Sequence, residues 1–111
     1  MENLEQTRKL IREILAEYTT HRYFDGSVKN ETIFDTETDR YVVIMMGREN
    51  KKRVHSCLIH VEIIDGKIWI QRDGTQDGIA TLLVENGIPK DKIVLGFKSP
   101  EMRQYTEFAA A

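Results

Sequence analysis

Asp65-Gly66 constrains this chain more than any other feature, because it sits between two short segments rich in Ile and Val, Cys57-Leu58-Ile59-His60-Val61-Glu62-Ile63-Ile64 and Lys67-Ile68-Trp69-Ile70-Gln71-Arg72. A two-residue hairpin turn needs positive φ at both central positions, and Asp-Gly meets that need best among common dipeptides. The chain therefore reverses here, and the reversal predicts a register. Ile64 opposes Lys67, Ile63 opposes Ile68, Glu62 opposes Trp69, Val61 opposes Ile70 and His60 opposes Gln71. Alternation then sorts the side chains into two faces. One carries Cys57, Ile59, Val61, Ile63, Ile68 and Ile70 and is expected to pack on a helix. The other gathers His60, Glu62, Trp69 and Gln71.

The rest of the pattern surrounds this hairpin. Leu4, Leu10, Ile11, Ile14, Leu15 and Tyr18 recur at helical spacing, which predicts an amphipathic helix over residues 3–19. Asp25-Gly26-Ser27 is turn chemistry that separates this helix from the strands. Thr32, Ile33 and Phe34 lead through a polar turn to Tyr41-Val42-Val43-Ile44-Met45-Met46, which is apolar at both parities and reads as a central strand covered on both faces. A second helix is predicted over residues 76–85, with Asp77 in its first turn, Ile79, Leu82 and Leu83 inward, and Gly87 as its stop. Residues 93–97 read as a short last strand. Ser99-Pro100-Glu101 then has the form of a capped helical turn. Clustered strands flanked by helices predict an α+β fold: a mainly antiparallel sheet of about five strands, with an N-terminal helix and a second helix packed against it. At 111 residues the chain is expected to form a single domain over 1–111.

Charge and cysteine content narrow the chemistry. With 16 basic and 18 acidic residues the net charge is −2, so the body as a whole has no attraction for phosphate backbones. The exception is Arg48-Glu49-Asn50-Lys51-Lys52-Arg53, with four cations against one anion. It reads either as a solvated hairpin loop or as a nucleic-acid contact through Arg48, Lys51, Lys52 and Arg53. One cysteine, Cys57, precludes an intrachain disulfide and fits a reducing compartment. No stretch approaches the length of a membrane span, so neither export nor membrane insertion is expected and a cytoplasmic location is.

No complete catalytic constellation is legible. His60 and Glu62 lie two apart on one strand face, and a small metal-dependent hydrolase built on them needs a third ligand from His55, His21 or a distant carboxylate. His55 has the opposite parity to His60 and is expected to face away. Asp73-Gly74-Thr75-Gln76-Asp77-Gly78 imitates the start of a calcium loop, but Val84 stands where the bidentate glutamate belongs, and helix capping by Asp73 or Thr75 accounts for the same residues. Asp65-Gly66-Lys67 has the letters of a nuclease acid-x-Lys motif, yet its acid is committed to the turn. Cys57 reads as an inert core thiol. No catalytic, cofactor or metal residue is assigned. The face of His60, Glu62, Trp69 and Gln71 reads either as a polar sheet face, with Trp69 packed under a neighbouring segment and His60 hydrogen-bonded to it, or as a partner-binding surface that includes Phe97, Arg103 and Tyr105, because aromatic and arginine side chains anchor interfaces.

Segments 34–41 and 57–75, Gly87-Ile88-Pro89-Lys90 with the strand at 93–97, and Pro100-Glu101, Arg103 and Tyr105-Thr106-Glu107-Phe108 together resemble the XisI family in the same order and almost end to end. That resemblance implies an fdxN element excision controlling factor of the cyanobacterial type. Such a factor assists site-specific DNA excision carried out by a separate recombinase. It also implies an XisH-like companion as partner, alone or within a recombinase complex, and it carries no catalytic residues over to this chain. Burial of a Trp-bearing face further makes a homodimer an expectation for a domain of this size.

Overall fold

The structure is a computed structural model that describes residues 3–20, 22, 23 and 26–111. His21 and Asp25 lie outside the described residues. Helix α1 spans Leu4–Ala16, and a 3-10 turn at Glu17–Thr20 completes it, so the predicted helix ends a turn early. Asn3 opens it with a capping box: its side chain accepts the Gln6 N–H at 2.8 Å, and the Gln6 side chain accepts the Asn3 N–H. Strands β1 (Arg22–Tyr23), β2 (Val28–Asp35), β3 (Arg40–Glu49), β4 (Lys52–Ile64), β5 (Lys67–Asp73) and β6 (Ile93–Leu95) form one sheet in chain order. All neighbours are antiparallel except β5 and β6, which α2 (Ile79–Glu85) connects as a parallel crossover. A last turn, α3 (Pro100–Arg103), is capped by the Ser99 hydroxyl, with proline at the first helical position as predicted.

The β4–β5 reversal follows the predicted turn, with φ of 51° at Asp65 and 79° at Gly66. Pairing runs as expected from Ile64–Lys67 to Val61–Ile70 and then slips. His60 opposes Arg72, not Gln71, because Gln71 is the extra residue of a bulge. A second bulge, on the other side of β4, lies at Leu58: Ile59 opposes Val43, but Cys57 opposes Ile44. Two expectations fall with it. Cys57 leaves the face shared by Ile59 and Val61, and His55, opposite Met46, joins the face of His60 rather than the opposite one. The bulge lets consecutive residues Leu58 and Ile59 both enter the core, which simple alternation forbids.

Helices α1 and α2 cover one face of the sheet. Ile11 and Leu15 of α1 and Ile79 and Leu83 of α2 pack with Tyr41, Val43, Ile59, Val61, Ile68, Ile70, Ile93 and Leu95 in one core cluster. Among the described residues, no helix lies on the opposite face over β2–β4. There Val42, Ile44 and Met46 are half-buried and Ile33 is 60% exposed, so β3 is not covered on both faces. Its apolar residues at both parities reflect lateral packing among neighbouring strands on that open side.

Helix α2 begins at Ile79, three residues later than predicted, because Gly78 takes φ 87° just before it. Asp77 therefore precedes the helix rather than lying in its first turn. Asp73 supplies the cap: its carboxylate accepts from the Thr75 N–H and hydroxyl and from the Ile79 N–H at 2.7 Å. The residues that imitate a calcium loop are thus engaged in capping. Gly87, at φ 97°, ends the helix in a Schellman motif, with Gly87 N–H donating to Val84 and Ile88 N–H to Leu83.

Two contacts fix α1 and the sheet edge. Arg8 grips Asp39 through Nε at 2.7 Å and Nη2 at 3.1 Å, and the Tyr41 hydroxyl donates to the same carboxylate at 2.8 Å. The Arg8 hydrogen bonds hold the Asp39 carboxyl below its ordinary range, and burial, with the bond to Asp39, pushes the Tyr41 phenol up to about 12. At the other end, a Cβ on Gly47 would stand 2.1 Å from the Ser27 carbonyl oxygen.

Because Asp39 titrates lower folded than unfolded, its contribution to stability is present above the ordinary Asp value of about 3.9 and is lost as pH falls through its lowered folded value. Asp39→Asn is expected to flatten that acid limb, read as denaturant midpoints across a pH series. Gly47→Ala is expected to lower stability by about 2 kcal/mol or more, measured by urea unfolding, since the clash is with backbone that cannot rotate away.

Candidate interaction surface

On the open face, Glu62 stands opposite Trp69 on β5, and His60 Nε2 and Glu62 Oε2 share a hydrogen bond of 2.8 Å. Beyond β6 the chain turns at Gly96 and Phe97 and crosses to this side. The Arg103 guanidinium lies 5.0 Å over the Trp69 ring, held there by Nε donation to the Lys98 carbonyl at 3.0 Å and Nη2 donation to the Gly96 carbonyl at 3.4 Å. Such a stack joins cation–π attraction to a fixed fork geometry. Gln71 does not face His60. Its Oε1 instead lies 2.5 Å from where a Gly96 Cβ would stand, so glycine is what lets the post-β6 turn approach the side chain. The segment then returns to the edge, where the Ala109 N–H donates to the Ile93 carbonyl at 2.9 Å.

Of the seven residues expected to bind a partner, Trp69, Gln71 and Arg103 meet around Gly96, with His60 and Glu62 adjoining through the Glu62–Trp69 pair. Phe97 is 51% and Tyr105 79% exposed. Met102, at 54%, is a further exposed apolar residue on the same segment that sequence reasoning did not single out. Its position in the Ser99-capped turn was legible, but its exposure depends on where the turn docks. A separate apolar groove of about 590 Å³ lies between the start of α1, the Gly66 turn and Ile88-Pro89, with Lys92 at its wall.

The chemistry available here is limited. An imidazole beside a carboxylate is a base with its orienting partner, which needs a nucleophile or metal to act on. Among the described residues no three of His, Cys, Asp and Glu are grouped to hold a metal ion. The Cys57 thiol is raised by burial and donates to the Ile59 carbonyl at 3.4 Å, which favours the protonated, unreactive form. In Asp65-Gly66-Lys67, the acid stays in the turn and Lys67 Nζ donates to the Ala111 carbonyl.

The cationic segment forms a second hairpin. Asn50 and Lys51 take φ of 51° and 69°, closing a two-residue turn between Glu49 and Lys52, with Arg48 opposite Arg53. All four cations, Arg48, Lys51, Lys52 and Arg53, are exposed.

These features bear comparison with known proteins. The profile of the XisI family, described as XisI protein, matches residues 1–110. The chain belongs to the XisI family. A crystal structure of a XisI-like protein from Anabaena variabilis superposes with a TM-score of 0.89 at 36% identity, covering 98% of this chain and 100% of that one. The crystal structure of fdxN element excision controlling factor XisI from the same organism superposes with a TM-score of 0.84 at 35% identity, covering 99% and 100%. No curated protein matches the chain. The XisI fold is thus a helix-backed, mostly antiparallel sheet. No helix among the described residues is long and apolar enough to cross a membrane.

Trp69 is the only tryptophan, so its fluorescence reports the Arg103 stack directly. Arg103→Ala is expected to shift its emission to the red and increase quenching by iodide. Arg40→Ala, an exposed position two strands away across Glu62, is expected to leave both unchanged.

Proposed function

We propose that this XisI-family protein is an accessory control factor in site-specific DNA excision, acting by docking onto a protein partner rather than by catalysing a reaction. The supporting observation is the pinned Trp69–Arg103 stack, bordered by the exposed apolar side chains of Phe97, Met102 and Tyr105. Tryptophan, tyrosine and arginine dominate the energetics of interfaces, above all when they are held rigid before the partner arrives. A relative bearing the description fdxN element excision controlling factor supports the process. The XisH-like companion implied by the sequence resemblance supplies the partner, within or apart from a recombinase complex. Self-association as a homodimer through the same surface is the competing occupant.

Purified protein mixed with the companion at micromolar concentration is expected to elute as a complex in sizing chromatography. Tyr105→Ala with Met102→Ala, both well exposed and so without effect on folding, is expected to weaken that complex at least about tenfold, equivalent to about 1.4 kcal/mol. Elution of the two proteins as separate species, or a complex indifferent to both substitutions, overturns the docking reading.

A further inference from the structure

We propose that the tip of the β3–β4 hairpin is a contact surface for the phosphate backbone of a nucleic-acid duplex. The pairing of β2 with β3 stops at Gly47, and that of β5 with β4 stops at Ile59. Arg48 is the last residue of β3 held from that side, its N–H donating to the Ser27 carbonyl at 3.4 Å and its carbonyl accepting from the Ser27 hydroxyl at 2.7 Å, so residues 49–52 extend past the sheet as the end of a two-stranded ribbon. Their type I′ turn matches the natural twist of the strands and keeps the ribbon narrow. A ribbon of this kind is one of the two protein elements that a DNA major groove admits.

The charge arrangement at the tip points to an anionic ligand. Arg48 and Arg53 stand directly opposite each other across the ladder. Like charges at opposed positions destabilise a strand pair, and an anion between them reverses the sign of that interaction. Among the described residues, no carboxylate lies within ion-pairing distance of Arg48, Lys51, Lys52 or Arg53. Glu49 is the one acid at the tip, opposite Lys52. Two of the cations are oriented: Arg48 Nη1 donates to the Lys51 carbonyl at 3.3 Å, and Arg53 Nη2 reaches Met46 Sδ at 4.0 Å. The next row inward on that face is Lys29, Met46 and His55, where Lys29 Nζ lies 3.9 Å from the Glu31 carboxylate, so the unpaired positive charge is concentrated at the tip. Guanidinium forks match phosphate oxygens in pairs. The ribbon geometry, rather than the charge alone, distinguishes a duplex from an acidic protein segment.

With a net charge of −2 the remainder of the molecule adds no attraction, so binding rests on the tip. Fluorescence anisotropy with a labelled mixed-sequence duplex tests this. Four neutralised phosphates give a slope of log K against log salt of about −3 to −4, and so roughly 100-fold weaker binding for a fourfold rise in salt. Replacing Arg48, Lys51, Lys52 and Arg53 by Gln is expected to weaken binding at least about tenfold and bring the slope towards zero, and Lys51→Gln with Lys52→Gln alone to reduce it by about two. Lys9→Gln with Lys92→Gln, exposed cations elsewhere, leaves it unchanged. Circular dichroism verifies that each variant is folded. Failure of the unaltered protein to bind the duplex at tens of micromolar in low salt overturns the proposal, as does binding that survives loss of the tip cations. Loss of the companion complex on neutralising the tip, with the duplex unbound throughout, assigns the surface to an acidic protein and also overturns it.

Discussion

Strand β4 holds the sheet together, and its bulge at Leu58 is the constraint on which the two faces depend. The 13 residues of β4 run between β3 on one side and β5 on the other. A strand that kept strict alternation along that length would send either Leu58 or Ile59 to the open face. The bulge turns both inward beneath the helices, and the Leu58 carbonyl accepts the Gly74 N–H at 2.8 Å. A disrupted ladder is thereby compensated by an additional buried aliphatic side chain. Everything upstream on β4 then changes side, which places Cys57, His55 and Arg53 on the open face with His60 and Glu62.

That switch divides the molecule by role. The helical face is closed by packing, by the capped ends of α1 and α2, and by the Arg8–Asp39–Tyr41 clamp. The open face is where, among the described residues, no helix lies over Ile33, the half-buried Val42, Ile44 and Met46, or the His60–Glu62 pair, and where Arg103 of the short α3 covers Trp69. At one end of this face the post-β6 segment presents the exposed Phe97, Met102 and Tyr105 beside an Arg103 held by backbone carbonyls. At the other end the β3–β4 ribbon presents cations. The two ends of this surface are therefore chemically distinct, one aromatic and apolar, the other cationic.

Much of the fold was legible because its decisive signals are local. Asp65-Gly66 reverses the chain wherever it stands between strands, Ser99-Pro100 starts a helical turn, and Gly87 ends a helix through a φ that other residues avoid. Helical spacing in α1 survives because one face must be apolar. The candidate surface was legible in part: Trp69 and Glu62 were placed together by the adjacent turn, and Asp73 was legible as a cap rather than a metal ligand. Gln71 and His55 were misplaced for one reason. Each lies at or beyond a bulge, and parity counted from the turn fails once a strand inserts an extra residue.

The sequence by itself determined the turns, the caps, the order of elements and the positions of the charged and aromatic residues, since each follows from backbone preferences within a few residues. Only the tertiary structure decided that Arg103 rests on Trp69, that Arg8 reaches Asp39, and that Ser27 holds the backbone of Arg48 at the base of the β3–β4 tip. Those outcomes join residues far apart in the chain, and they are settled by how the bulged strands pack against the helices, which no local preference encodes.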